Sequence, residues 1–195
     1  MKYLIPLALL ATLLLFACGD KSISPIEPDN HSDQLIKLQP KAGFSVGKTF
    51  SISKKINGDK GGTIKLKKSY FAEDGHKVKI DVKFKVKKHS FEGKVDIRMT
   101  VNVNNASVMF TPHMIFNKRA SLEVKFEGID LEKLDRMDHE KSERGPTGEY
   151  DFVFIDHDGN IETIDHDRIK VDERKGKIQV KKAKLDHFSR YAFIR

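Results

Sequence analysis

The sequence has a single cysteine and no tryptophan among its 195 residues. One thiol cannot form a disulfide bridge within the chain or supply a multi-cysteine metal site, so neither is expected to stabilise the fold. The motifs HExxH and GxGxxG are also missing, which removes the usual signals of zinc peptidases and dinucleotide-binding enzymes. Acidic residues are fewer than basic ones, and the formal net charge is +8.

The chain opens with an apolar segment. Lys2 precedes an apolar run at residues 4–17, which only Pro6 interrupts. A bilayer core takes ~20 residues to cross, so this run is too short, and its positive start and small final residues are typical of a secretory signal. The final residues, Leu15-Phe16-Ala17-Cys18, resemble a bacterial lipobox. The resemblance implies a signal peptide at 1–17 and acyl chains on Cys18; the alternative is a plain leader followed by an ordinary cysteine.

Residues 18–41 are predicted to be the lipidated cysteine and a flexible linker. This stretch holds three prolines and no periodic apolar pattern. A random coil of this length spans about 25 Å, enough to hold a folded domain away from lipid headgroups. We therefore expect a protein of the bacterial cell envelope that contacts the membrane through the lipid on Cys18. Gly19 follows Cys18 instead of aspartate, which implies the outer membrane if the source is Gram-negative.

Residues 42–195 show an apolar residue at every second position in many short runs. The clearest run is 77–88, and 95–103 repeats the pattern. Strict alternation excludes a helix and predicts half-buried strands. About ten such runs, separated by turn signals, predict an all-β fold: a single β-sandwich of antiparallel strands. Within it, Asp158-Gly159 predicts a type I′ hairpin, and residues 129–147 predict a short helix with Leu131, Leu134 and Met137 on one face.

The charges of the predicted sandwich are unevenly distributed. Residues 77–88 carry six lysines against Asp81, while residues 151–173 carry eight acids against Arg168 and Lys170. Five of these lysines, Lys77, Lys79, Lys83, Lys85 and Lys87, fall on the face opposite the apolar residues. One interpretation is that they solvate this face and discourage edge-to-edge pairing of strands. The other is that they bind a polyanion. Nucleic acid is not an expected partner for an exported, lipid-anchored chain.

Three segments resemble ZU5-type β-sandwich domains of bacterial lipoproteins and surface proteins. They are GGTIKL at 61–66, FNKRASLEV at 116–124 and DHFSRYA at 186–192. The resemblance extends over about residues 43–195. It implies a sandwich that serves as a non-catalytic binding or structural module, with an envelope protein or polymer as partner and no cofactor.

The same resemblance suggests one catalytic alternative. Some ZU5-like and related domains cut themselves between the Phe and Ser of a His-Phe-Ser tripeptide, here His187, Phe188 and Ser189. The Ser189 hydroxyl would attack the Phe188 carbonyl with His187 as the activating group, and water would release the ester. The structural interpretation is that these residues simply begin the last strand, with Phe188 in the core.

Two acidic triplets with a central histidine are the candidate metal ligands. They are Asp156-His157-Asp158 and Asp165-His166-Asp167. Carboxylates with imidazoles bind Ca²⁺, Zn²⁺ or Mn²⁺. On a hairpin turning at Asp158-Gly159 the two histidines would lie about 20 Å apart, too far to share an ion. We therefore expect turn chemistry at the first triplet and no bound metal.

Overall fold

The computed structural model describes residues 35–36, 49–72, 75–129, 131 and 150–195. These residues form eleven strands and one 3₁₀ turn at Glu173–Lys175, which confirms the all-β prediction. The strands are β1 Thr49–Asn57, β2 Gly62–Phe71, β3 Lys77–Val86, β4 Lys94–Asn102, β5 Ser107–Thr111, β6 Ile115–Glu127, β7 Asp151–Ile155, β8 Ile161–Thr163, β9 Arg168–Asp172, β10 Lys177–His187 and β11 Arg190–Ile194.

The strands form two antiparallel sheets that pack face to face as a β-sandwich. The six-stranded sheet has the order β1-β4-β5-β11-β7-β8, and the five-stranded sheet has the order β2-β3-β6-β10-β9. All the strand pairs are antiparallel. The chain passes between the sheets several times, most abruptly between β10 and β11, where only Phe188 and Ser189 connect them.

Alternation along the strands builds the core. The apolar residues of β3 are 0–2% exposed and face the six-stranded sheet, while their neighbours point to solvent: Val78, Ile80, Val82, Phe84 and Val86. β4 repeats this arrangement, as predicted, with Ile97, Met99 and Val101 fully buried. Each such side chain contributes about 1.5–3 kcal/mol to folding when it leaves water, so the core fixes which face of each strand remains outside.

Aromatic rings join the two sheets at both ends of the sandwich. At one end Phe84 of the five-stranded sheet lies 4.6 Å from Phe110 of the six-stranded sheet, measured between ring centroids. At the other end Phe126 lies 6.0 Å from Phe193. These contacts hold the two sheets together near both ends of their strands.

Leu35 and Ile36 pack against the sandwich. Leu35 forms an antiparallel bridge with Ile194, and the Ile36 amide donates a hydrogen bond to the Phe193 carbonyl at 3.1 Å. The Ile36 side chain is 2% exposed and belongs to the main core. Both residues fall inside the predicted linker 18–41, so the prediction of a free linker is wrong for this dipeptide. Packing of the Ile36 side chain beside β11 is favourable because it removes apolar surface from water.

Other predictions concern residues beyond the described ranges. The signal peptide at 1–17 and the lipidation site Cys18 are among them. The predicted helix at 129–147 is described only at Ile129 and Leu131, both buried, so Leu134 and Met137 are outside.

No helix within the described ranges is both long enough and apolar enough to span a membrane.

Replacing Ile36 with alanine tests whether the dipeptide is part of the folded domain. The substitution should lower the free energy of unfolding by about 2–5 kcal/mol, because a buried isoleucine leaves a cavity when truncated. Urea unfolding of the chain from residue 18 onward measures the change. The matched control is Ile52→Ala, because the Ile52 side chain is 37% exposed, and it should cost less than about 1 kcal/mol. Equal losses in the two variants would show that Ile36 is not buried in solution.

Candidate functional site

The tripeptide His187, Phe188 and Ser189 forms the corner where the chain leaves the five-stranded sheet for the six-stranded one. Phe188 is fully buried, and its ring lies 4.7–5.4 Å from three others in the core, those of Phe84, Phe110 and Phe116. Its amide donates to the Met114 carbonyl at 2.7 Å, and the Ser189 carbonyl accepts from the Phe110 amide at 3.1 Å. The bond predicted for cleavage is therefore held by hydrogen bonds on both sides.

The polar groups of this corner bind the surrounding strands. The Ser189 hydroxyl donates to the Ile155 carbonyl at 3.4 Å. The His187 ring packs edge-on against Phe154 at 4.6 Å, and its Nδ1 is buried with no hydrogen-bond partner among the described residues. None of the three residues has a positive φ. These contacts favour the structural interpretation, in which Phe188 anchors the last strand in the core.

Tyr191 closes the corner. Its hydroxyl donates to the His187 carbonyl at 2.6 Å. Burial, with Asp186 and Glu162 nearby, raises the pKa of Tyr191, so the hydroxyl keeps the proton that this bond requires. Tyr191 is 1% exposed and belongs to the core.

The first acidic triplet, Asp156-His157-Asp158, is part of the loop between β7 and β8. Its candidate ligand atoms lie within 4.8 Å of one another. The Asp156 carboxylate, however, already accepts hydrogen bonds of 2.8–2.9 Å from the Asp158 amide and from the amide and side chain of Asn160. These hydrogen bonds lower the pKa of Asp156, and the bond from the Asn160 side chain has the largest effect. As predicted, the carboxylate serves the turn.

The predicted type I′ turn at Asp158-Gly159 is wrong. Asp156 and Asn160 are bonded across the base of the loop, and three residues lie between them. Gly159 has a φ of +85° but Asp158 does not have a positive φ, whereas a type I′ turn needs one at both central residues. The Asp156 side chain bonds two backbone amides of the loop, and this stabilises a three-residue turn over the tighter one.

The second triplet, Asp165-His166-Asp167, has partners on three strands. Asp165 pairs with Arg119 at 3.0 Å, His166 with Asp151 at 3.3 Å and Asp167 with Lys182 at 2.9 Å. Asp165 also lies 3.6 Å from Lys184, so the triplet is tied to β6, β7 and β10. The structure therefore brings together neither the members of this triplet nor the two triplets, and the side chains of the second triplet act as links between strands.

A further motif precedes β1. Residues 43–47 read Gly-Phe-Ser-Val-Gly, which has the GxSxG spacing, and residues 42–49 approach the spacing of a phosphate-binding loop. Both motifs act in a loop that leads into a helix. Here Thr49 begins strand β1, and residues 43–47 lie outside the described ranges. The strand that follows gives neither motif its functional context.

The outer surface of the five-stranded sheet carries many charged side chains. We call it the basic face and define it as the outward-pointing side chains of the five strands in the register rows that run from Lys77 to Lys85 of β3. It contains twelve basic residues, Lys65, Lys67, Lys77, Lys79, Lys83, Lys85, Lys125, Arg168, Lys170, Lys177, Lys181 and Lys184, and four acidic ones, Asp81, Glu123, Glu127 and Asp172.

The lysines on the β2–β3–β6 side of the basic face are largely paired. Lys67 lies 3.3 Å from Asp81, Lys83 lies 3.8 Å from Glu123, and both Lys79 and Lys125 reach Glu127, at 3.8 and 2.9 Å. Exposed pairs of this kind contribute about 0–1 kcal/mol each. Their main effect here is to offset much of the charge of the lysine run 77–88, which agrees with the solvation interpretation for that part.

The basic residues of β9 and β10 were not singled out from the sequence. Arg168 and Lys170 alternate with apolar residues, as do Lys177 and Lys181, and this alternation was the available signal. The sequence does not show that β9 and β10 are neighbours, nor that β10 lies beside β6. Only the sheet order adds these cations to the lysines of β3 on one surface.

No protein-family model, curated protein or solved structure matches this chain. The resemblance to ZU5-like domains and to bacterial lipoproteins therefore remains a prediction.

The intact mass of the purified chain tests self-cleavage directly. We expect one species ending at Arg195, because Phe188 is packed and Ser189 bonds to β7. Loss of the seven residues from Ser189 onward, abolished by Ser189→Ala, would establish the catalytic alternative.

Two variants test whether the corner is structural. Phe188→Ala should lower the free energy of unfolding in urea by about 3–5 kcal/mol, since it removes a fully buried ring. Ser189→Ala should cost less than about 1.5 kcal/mol, since it removes one long hydrogen bond.

Proposed function

We propose that this chain is a lipid-anchored protein of the bacterial cell envelope whose sandwich is a non-catalytic module that binds an anionic partner through the basic face. The observation that supports this most is the excess of positive charge on the outer surface of the five-stranded sheet. A sheet held by a continuous core presents these charges in a fixed array, so less conformational entropy is lost on binding than with a flexible basic segment.

The shape of the basic face suits a charged, extended ligand. It contains a shallow depression of about 260 Å³, lined mainly by charged side chains that include Lys65, Lys83 and Lys125. A second depression of about 310 Å³ adjoins it near Lys77 and Lys79. Sites for drug-sized molecules are typically enclosed and mostly apolar. Open depressions walled by lysines instead favour contact with a polymer or another protein.

Anchoring through Cys18 is the second part of the proposal, and it rests on residues 1–18 of the sequence. In the native host, wild-type protein should be found in the membrane fraction with acyl mass on Cys18. Cys18→Ser should release it into the soluble fraction, because two or more acyl chains provide the durable attachment. Lys21→Ser is the control beside it and should stay with the membrane. A Cys18→Ser protein that remains in the membrane, or an unmodified Cys18 in the wild type, would contradict the anchor.

Binding to polyphosphate and to heparin, measured against salt, tests the basic face. The unlipidated chain from residue 18 onward should bind at 0.1 M salt and dissociate as salt screens the charges. Lys125→Gln, Lys170→Gln and Lys177→Gln together should weaken binding at least tenfold, about 1.4 kcal/mol.

The control removes three charges from the six-stranded sheet, with Lys55→Gln, Lys94→Gln and Arg98→Gln. It has the same net charge and should change the affinity less than threefold. Equal losses would show that net charge alone is responsible, and no binding of either probe by the wild type would refute this function.

A further inference from the structure

We infer that the anionic partner binds at one corner of the basic face, the β9–β10 cluster of Arg168, Lys170, Lys177 and Lys181, and that it is a phosphate-bearing polymer. The inference rests on the proposed function and assigns its ligand and its position. It also places the binding site away from the lysine run 77–88, which is the most conspicuous basic segment of the sequence.

Strand register brings the four cations together. Lys170 lies directly opposite Gln179, and Arg168 lies opposite Lys181 on the neighbouring strand. Lys177 and Lys181 flank Gln179 at two residues on either side, on the same face of β10. Neighbouring strands are about 4.8 Å apart and alternate residues about 6.6 Å apart. The four cations therefore surround the Gln179 side chain at distances that one phosphate group and its neighbours along a chain can bridge.

The cations of the β9–β10 cluster form no close ion pair, although Glu127 is opposite Lys177 and Asp167 precedes Arg168. No carboxylate of the described residues lies within 4.0 Å of any of its four cations. Asp172, which is opposite Lys177, pairs with Lys175 at 3.6 Å. The pKa of Lys170 is lowered by the positive charges of Arg168, which has the largest effect, and of Lys181 and Lys177. Like charges therefore repel the Lys170 ammonium group. The lysines of β3, in contrast, face Asp81, Glu123 and Glu127.

A β-bulge in β10 crowds positive charge at this corner. The register with β6 shifts between Val180 and Ala183, so that Lys181 and Lys182 together oppose a single residue. Lys182 has a φ of +51°, a conformation that costs a non-glycine residue about 1–2 kcal/mol. Its ammonium binds Asp167 at 2.9 Å, which fixes the segment before β9 against β10. Bulges commonly occur at functional sites, and Lys181, in this bulge on the β6 side, is opposite Arg168 in the regular register with β9.

The donors of the cluster favour phosphate. The planar guanidinium of Arg168 can hold two oxygens of one phosphate, and the lysine ammonium groups supply point charges on either side. The Gln179 amide adds a neutral donor between them. In a polyphosphate the charged groups form the backbone itself, whereas those of a carboxylate polymer such as polyglutamate are on flexible side chains, so a fixed array of cations contacts several phosphates with less loss of conformational entropy.

The position of the cluster favours a polymer over the membrane in which the protein is anchored. Leu35 and Ile36, the described residues nearest to Cys18 in sequence, run along β11 in the six-stranded sheet. The β9–β10 cluster lies on the outer surface of the other sheet. Leu35 and Ile36 therefore join the sheet opposite the one that carries the cluster.

The test compares two triple variants that remove the same charge from the basic face. The first, Arg168→Gln, Lys170→Gln and Lys181→Gln, removes three cations of the cluster. The second, Lys67→Gln, Lys79→Gln and Lys83→Gln, removes paired lysines. With long-chain polyphosphate at 0.1 M salt, the first variant should bind at least tenfold more weakly than wild type and the second less than threefold. A larger loss in the second variant would overturn the assignment to β9–β10.

Two further measurements make the result independent of folding and separate the possible ligands. In the wild type, polyphosphate should shift the NMR signal of the Lys170 side chain more than that of Lys83, and the reverse would contradict the site. Polyglutamate of equal charge should bind at least fivefold more weakly than polyphosphate; equal binding would refute the phosphate preference. Vesicles containing phosphatidylglycerol test the membrane as ligand. If the first variant lost more affinity for these vesicles than for polyphosphate, the assignment to a polymer would be wrong. If the wild type bound neither polyphosphate nor heparin, both the proposed function and this inference would be wrong.

Discussion

The contact between the inner faces of the two sheets is the constraint on which the rest of the structure depends. Phe84 meets Phe110 and Phe188 across this contact, and every second residue of β3 is removed from water by it. Side chains alternate with a period of two, so burying one set commits the other set to the outer surface. The charge pattern of the basic face is thus a consequence of core packing. A slip of one residue in β3 would bury its lysines.

The same contact explains why the corner of β10 and β11 is built as it is. Only two residues join the sheets, so one of them has to enter the core while the chain reverses. Phe188 does this, and the hydroxyl groups of Ser189 and Tyr191 donate to the backbone carbonyls of Ile155 and His187 beside the turn. A His-Phe-Ser sequence can therefore be required by packing alone. At this site the residue types suggest self-cleavage, whereas the packing of the corner accounts for them without any catalysis.

Electrostatics on the outer surface then depends on which strands are neighbours. On β3 the acids of β6 lie within reach of the lysines, and the positive potential is reduced. On β9 and β10 like charges face one another and the potential adds. Because exposed ion pairs contribute little to stability, this difference has a small effect on folding. It has a large effect on where an anion is attracted, since local potential, and not net charge, sets the preferred position.

The amino-acid pattern by itself determined the class of fold, the identity of the strands and the inward face of each, because alternation is a local property that neighbouring residues carry. It also indicated the turn role of Asp156, whose partners are within four residues. The tertiary structure alone decided the order of the strands, the pairing of the lysines, the β9–β10 cluster and the docking of Ile36 on β11. These features join residues that are far apart in the chain, and their energies depend on contacts that no local pattern contains. The loop at Asp158-Gly159 shows the same limit at short range, because hydrogen bonds from the loop to the Asp156 side chain outweighed the preference of the dipeptide.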